Sequence, residues 1–377
     1  MALQDFKCPN CGGAVQFDPT AGSMKCPFCD TVLDVAAMSA QLENAQTQYG
    51  APQMNPDGSF VMGQDSMNWN QTGGKQSWLP GEQEGMRVYV CKSCGGEIVA
   101  EETTGATACP YCNNPVVMLE QFSGYLRPDY VIPFKLDKKA AEDALKKHIA
   151  KKKLVPKAFK SDSVISTVKG MYVPFWLYDA TADAQGSFTA TKTRSWSDSR
   201  YNYTETSYFD VYRSCRLSFA NVPVDGSKKM DDALMESIEP YNFADAVSFQ
   251  TAYMSGFLAD KYDVDSMLSA PRANERVKSS VTEAMRSTVS GYDSVVPKQT
   301  NMQLLNSQTK YALYPVWVMS VKYQGKDWIF AVNGQTGKVT GDMPVDKGAL
   351  NLQAFIRWLY LTAGFAAALV LLQILGN

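Results

Sequence analysis

The sequence predicts an α+β protein: two small four-cysteine ribbons, a mixed α/β main domain and a C-terminal transmembrane helix. Three observations carry this expectation. Two cysteine clusters repeat with one internal spacing, strand and helix periodicities alternate along the middle of the chain, and the sequence ends in an uncharged apolar run. The 377 residues suffice for two or three domains, and at 45% hydrophobic they can bury a core.

The first cluster is Cys8-Pro-Asn-Cys11, fourteen residues, then Cys26-Pro-Phe-Cys29; the second is Cys91-Lys-Ser-Cys94, fourteen residues, then Cys109-Pro-Tyr-Cys112. Each cysteine of one maps onto the other at an offset of 83, which uses eight of the nine cysteines. Two C-x-x-C knuckles turn four thiolates toward one ion, as tetrahedral Zn²⁺ requires. The spacer is one residue shorter than usual for this pattern. Residues 1–36 and 85–120 therefore read as zinc ribbons, each holding one structural Zn²⁺. Four thiolates leave no open position for substrate or water, which argues against catalytic zinc. Zinc rather than iron rests only on the usual occupant of such ribbons. Cys26-Pro-Phe-Cys29 and Cys109-Pro-Tyr-Cys112 also look like glutaredoxin-type dipeptides. That chemistry needs a helix N-terminus at the first cysteine, and Asn113-Asn114-Pro115 opposes one. No signal-peptide pattern opens the sequence, so a reducing compartment is expected rather than disulfide staples.

Residues 37–84 are rich in Gln, Asn, Gly, Ser, Met and Pro without a period, and read as a flexible linker with Trp69 and Trp78 as contact points. The main domain covers 125–345. Val131-Ile132-Pro133-Phe134 reads as a strand, and Asp137 caps a helix with Ala141, Leu145 and Ile149 on one stripe. Gly170–Tyr178 is a strand, and alternating polar and aromatic residues from Ser187 to Phe219 predict a β-meander. Residues 228–290 look mostly helical, broken at Pro240 and Pro271, and 311–340 return to strands. Tyr314-Pro315-Val316-Trp317-Val318 echoes Tyr172-Val173-Pro174-Phe175-Trp176, and Asn333-Gly334-Gln335-Thr336-Gly337 makes a hairpin turn.

From Trp358 to Leu375 there are eighteen uncharged residues, about 27 Å as a helix against a hydrocarbon core of roughly 30 Å. Residues 354–375 thus read as a tail anchor, with Arg357, Trp358 and Tyr360 at the interface and the N-terminal bulk in the cytoplasm.

The paired ribbons, Val131-Ile132-Pro133-Phe134-Lys135-Leu136-Asp137-Lys138-Lys139-Ala140-Ala141, the Tyr172–Trp176 strand and the Val332–Val339 hairpin together resemble bacterial double zinc-ribbon membrane proteins of the transcription-factor-IIB-ribbon type. The resemblance covers most of the chain except the linker. It implies an adaptor role in a phage-shock-like envelope-stress module, beside a phage-shock-protein-A-like coat and an SPFH-like scaffold. It brings no catalytic residues.

Three function classes follow. The expected one is a membrane-anchored, non-enzymatic adaptor whose ribbons bind protein partners. The alternative is a tethered nucleic-acid-associated factor. Net charge is −2 overall, and residues 85–120 set Arg87 and Lys92 against Glu97, Glu101, Glu102 and Glu120, which is poor for phosphate binding. One basic run, Lys135 to Lys160, complements a helix C-terminus or, at Lys151, Lys152 and Lys153, contacts anionic lipid. An enzyme is least supported: there is one histidine, His148, and no phosphate loop or nucleophile elbow, and Cys215 reads as a small strand residue.

Overall fold

Strands, not helices, dominate the described chain. The structure is a computed structural model. It describes residues 54–375, apart from 57, 103, 105–107, 122–124 and 153, and three short N-terminal strands; for 366–375 it describes the backbone alone. In chain order the strands are β1 (Gln16–Asp18), β2 (Ser23–Lys25), β3 (Val32–Leu33), β4 (Met86–Val90), β5 (Glu97–Glu101), β6 (Val117–Gln121) and β7 (Tyr130–Val131). Then come β8 (Lys169–Ser197), β9 (Asn202–Asp225), β10 (Val247–Ser248), β11 (Leu258–Asp260), β12 (Ser294–Tyr323), β13 (Lys326–Asn333) and β14 (Val339–Gly341). The helices are α1 (Lys138–Ala150), α2 (Asp162–Ile165), α3 (Asp232–Ser237), α4 (Ser266–Ser287) and α5 (Lys347–Leu375).

The expected α+β class is corrected by this inventory. One large mixed sheet runs β10-β7-β12-β8-β11-β5-β4-β6, with β13 and β14 joined through β12 and β9 through β8. Two misread stretches account for the difference. Residues 187–219 make two long strands and one turn rather than a meander. Nothing interrupts the alternation until Asp198, whose carboxylate accepts from the N–H groups of Arg200 and Tyr201 and closes the turn. Residues 228–290 hold only two α-helices, with short 3-10 turns at Phe243–Asp245 and Thr251–Met254. Between the two α-helices β11 is buried at all three positions, and a short, continuously apolar strand cannot be told from a helix by period. Pro271 lies inside α4 instead of breaking it.

The chain divides into two compact units. One comprises Met1–Asp65, Ala184–Cys215 and Thr282–Met302; the other comprises Ser66–Asp183, Arg216–Val281 and Gln303–Asn377. In the first, β1, β2 and β3 form a small antiparallel sheet. The same unit holds the tip of the β8–β9 hairpin. Hydroxyls pair across one face, Thr193 with Thr206 at 3.5 Å and Ser195 with Thr204 at 3.3 Å. Trp196 stacks on Tyr203 with centroids 5.5 Å apart, and the Arg194 guanidinium lies over the Trp196 ring.

The second unit holds the core. Asp137 caps α1 by accepting from the Ala140 N–H, and Ala141, Leu145 and Ile149 are buried as the stripe predicts. They pack on Trp317, Met319, Phe330 and Val332. Burying Leu145 and Ile149 contributes about 1.5–3 kcal/mol each. The echoed aromatic segments occupy neighbouring strands, and Phe175 stacks on Tyr314 at 4.5 Å. The predicted hairpin turn joins β13 to β14: Asn333 Oδ1 accepts from the Gln335 and Thr336 N–H groups, and Gly337 takes φ 77°.

The flexible-linker expectation is also corrected where it is described; residues 37–53 lie outside the described residues. Residues 66–84 are pinned. Ser66 bridges Gln303, Thr72 Oγ1 donates to the Thr309 carbonyl at 2.6 Å, and Gly73 lies so close to Lys310 that a Cβ would meet its carbonyl carbon at 2.7 Å. Trp69 Nε1 donates to Asn274 Oδ1, and Trp78 Nε1 to the Tyr125 carbonyl, both at 2.6 Å. Arg127 holds Glu82 by two 2.8 Å bonds and also donates to the Phe249 carbonyl. The aromatic payload of the two tryptophans and the small glycine outweigh the polar composition.

The membrane expectation is overturned too. Among the described residues, no helix is long and apolar enough to cross a membrane. α5 spans Lys347–Leu375, and its first three turns carry Lys347, Asn351, Gln353 and Arg357. The tail anchor and the membrane localisation drawn from it are withdrawn.

Candidate metal centre

The second ribbon is not a separate domain. β5 pairs antiparallel with β11, Ala259 against Val99 and Asp260 against Ile98, and β11 pairs in parallel with β8. Ribbon and main domain thus share one sheet. They also share a core: Tyr89, Cys91, Ile98, Cys109, Tyr111 and Cys112 belong to the same buried cluster as Met171, Val173, Phe175 and Leu258.

Each C-x-x-C turn forms by the same backbone pattern. The Cys91 carbonyl accepts from the Gly95 N–H at 2.7 Å, and the Cys91 N–H donates to the Gly96 carbonyl at 3.0 Å. In the other knuckle the Cys109 carbonyl accepts from the Asn113 N–H at 3.0 Å, and the Cys109 N–H donates to the Asn114 carbonyl at 2.8 Å. Both turns end in a left-handed residue, Gly95 at φ 71° and Asn113 at φ 58°, residue types that tolerate that conformation. At Gly96 a Cβ would fall 2.9 Å from the Tyr111 ring. The Asn114 side-chain amide ties the knuckles together by donating to Ser93 Oγ at 3.0 Å.

These turns bring the four sulfurs of Cys91, Cys94, Cys109 and Cys112 within 4.8 Å of one another. Cys91 and Cys112 lie 3.5 Å apart, and Cys94 and Cys109 3.6 Å apart. Tetrahedral zinc–thiolate bonds of about 2.3 Å place sulfurs about 3.8 Å apart, whereas a disulfide needs about 2.05 Å. None of the four is in a disulfide; Cys91 and Cys109 are fully buried, Cys112 nearly so and Cys94 half-buried. Burial pushes the Cys94 and Cys109 thiols up. Burial also opposes ionisation of Cys112, but the Asn114 N–H and side-chain amide, with Cys91 and Cys94, hold it down to about 7. A closed, soft donor set of this kind fits one Zn²⁺. No helix begins at either knuckle among the described residues, so the redox reading lacks its dipole.

The surroundings hold residues the sequence reading did not single out. The Tyr111 hydroxyl donates to Met171 Sδ at 3.7 Å, docking the second knuckle on β8. Asp260 is buried beside Tyr111, its Oδ2 lacks a hydrogen-bond partner among the described residues, and burial raises its pKa to about 7. Lys169 Nζ donates to the Ala108 carbonyl at 3.0 Å, and Lys229 Nζ to the Cys94 carbonyl at 2.5 Å. Burial lowers the Lys169 ammonium, with the Cys109 and Cys112 charges acting in the opposite direction. The Gly-Gly pair after Cys94 was the legible signal, since Gly12-Gly13 follows Cys11 at the same offset.

The remaining expected site residues are placed as follows. Cys8, Cys11, Cys26 and Cys29 lie outside the described residues, as does Lys153. Lys151 and Lys152 are exposed at the C-terminal end of α1, where the Lys152 N–H donates to the Ile149 carbonyl. Cys215 lies in β9, half-buried.

No family model and no solved structure matches the chain. It is 34% identical over 343 residues, 91% of either chain, to the "Uncharacterized protein YdjG" of Bacillus subtilis (strain 168), and it belongs to the family of that protein.

Proposed function

We propose that the chain is a non-enzymatic, zinc-dependent scaffold that binds protein partners, of the coat and scaffold class that the sequence resemblance implies. One observation supports this above the others. The four-cysteine centre is closed and built into the main sheet through β5 and β11, so its metal serves the fold and leaves surface, rather than a coordination position, for function.

The first ribbon is proposed as a second zinc site of the same kind. β2 and β3 pair Lys25 with Val32, the residues that flank the Cys26–Cys29 segment in the sequence. Ala108 pairs with Pro115 across the Cys109–Cys112 turn. Both pairs are related by the offset of 83, as are Phe28 and Tyr111, and Asp30 and Asn113.

The test is a pull-down with full-length protein beside two quadruple Cys→Ser variants, one per ribbon, with zinc content measured in each. Two zinc ions in the parent, one in each variant, and protein partners lost in a variant support the reading. Salt-sensitive retention of nucleic acid instead would move it to the alternative class.

A further inference from the structure

We infer that Lys169 and Lys229, one at each knuckle, are the counter-charges of the metal centre. This rests on the four-thiolate site and not on the scaffold reading. Four thiolates around one Zn²⁺ carry a formal −2, and three of the four cysteines here are buried or nearly so. Burying that charge without compensation is costly. The ribbon's own cations are poorly placed to compensate: Arg87 is engaged with Glu102 at 2.6 Å, Lys92 is exposed to solvent, Glu97, Glu101 and Glu102 crowd its strands, and Asp260 adds a buried carboxyl beside Tyr111.

The main body supplies it instead. Lys169 opens β8 and reaches the second knuckle, donating to the Ala108 carbonyl at 3.0 Å and approaching Asn113 Oδ1 at 3.5 Å. Lys229, just before α3, reaches the first, donating to the Cys94 carbonyl; a Cβ on Gly95 would lie 3.9 Å from its Nζ. Both side chains are half-buried. Lys135, Lys146, Lys261 and Lys310 each pair with a carboxylate. Among the described residues neither Lys169 nor Lys229 forms such a pair; Lys229 shares a small pocket with Glu97, Asp260 and Asp263, but its ammonium is turned to the Cys94 carbonyl. The arrangement acts on the metal through the protein: it lowers the energy of the anionic loaded site and holds the two turns against the sheet.

The experiment uses the full chain with Cys8, Cys11, Cys26 and Cys29 changed to Ser, so that only the second centre is read. Zinc release to excess chelator is followed for the parent, Lys169→Met, Lys229→Met, the double variant, and the two Lys→Arg variants. Cobalt substitution reports the thiolate geometry of each. Removing outer-shell partners of a metal costs 10–100-fold in affinity, so each Met variant is expected to release zinc about tenfold faster. The double variant should release it about a hundredfold faster if the sites act independently, and the Arg variants should stay near the parent. Met variants that keep the cobalt spectrum and release zinc at the parent rate overturn the inference. So do Arg variants that fail as badly as Met, since that outcome assigns the effect to packing. A parent that binds no zinc refutes the metal site itself, a result distinct from either.

Discussion

The proposed zinc site predicts that removing its ion from the second ribbon loosens the main sheet as well as the ribbon. The perturbation is chelation of the full-length protein, or Cys109→Ser, which replaces a fully buried ligand. Zinc contributes about 10–16 kcal/mol to comparable small sites, more than β4, β5 and β6 can replace by packing alone. Their collapse would strip β11 of its antiparallel neighbour. Ile98 and Val99 are 0% and 3% exposed and sit on opposite faces of the sheet, one in each core cluster. Losing both burials costs about 3–6 kcal/mol. At 1.4 kcal/mol per decade, amide protection at Leu258–Asp260 should fall by roughly 10²- to 10⁴-fold. Hydrogen exchange read by mass spectrometry on peptides covering β11 and β8 measures this directly. Faster exchange confined to 86–121, with β11 unchanged, would show that the ribbon is an independent module and refute the shared-sheet argument.

Other consequences are equally specific. Arg127→Met should destabilise by about 3–5 kcal/mol in chemical denaturation, because it leaves Glu82 buried without its partner. The Arg127 hydrogen bond holds the Glu82 carboxyl below its usual range; that stability is present above about pH 4.5 and lost as pH falls through the lowered value, and Glu82→Gln should abolish that part of the acid sensitivity. Asp225 behaves oppositely: burial, then Asp232, raises it from 3.8 to about 8. Its contribution is full below about pH 4 and lost as pH rises through 8, so Asp225→Asn should flatten the stability profile over that window. Gly73→Ala should lower stability by about 1–3 kcal/mol, since the new Cβ meets Lys310 backbone that cannot yield, whereas Gly364→Ala in α5, with nothing within 4 Å, should raise helix stability by up to about 1 kcal/mol; paired thermal melts separate the two.

Local chemistry was legible in the sequence because local chemistry is what a sequence writes down. Two C-x-x-C turns imply converging thiolates wherever they fold, and Asp137 before a stripe of Ala141, Leu145 and Ile149 specifies a capped helix. Asn333 to Gly337 specifies a turn through one side-chain carbonyl and one left-handed glycine. The composition of residues 66–84 was equally plain and misleading: its polar residues outnumber its anchors, but Trp69, Trp78 and Gly73 find partners more than forty residues away.

The sequence by itself determined the four-cysteine cluster of the second ribbon, the α1 stripe and the β13–β14 turn, since each depends on a repeated short motif or on residues close together in the chain. The tertiary structure alone decided that β5 would pair with β11, that Lys169 and Lys229 would meet the knuckles, and that a buried Asp260 would stand beside Tyr111. Those contacts join segments 61 to 162 residues apart, and no spacing rule reaches that far. Strand pairing is set by which edges the rest of the fold leaves open.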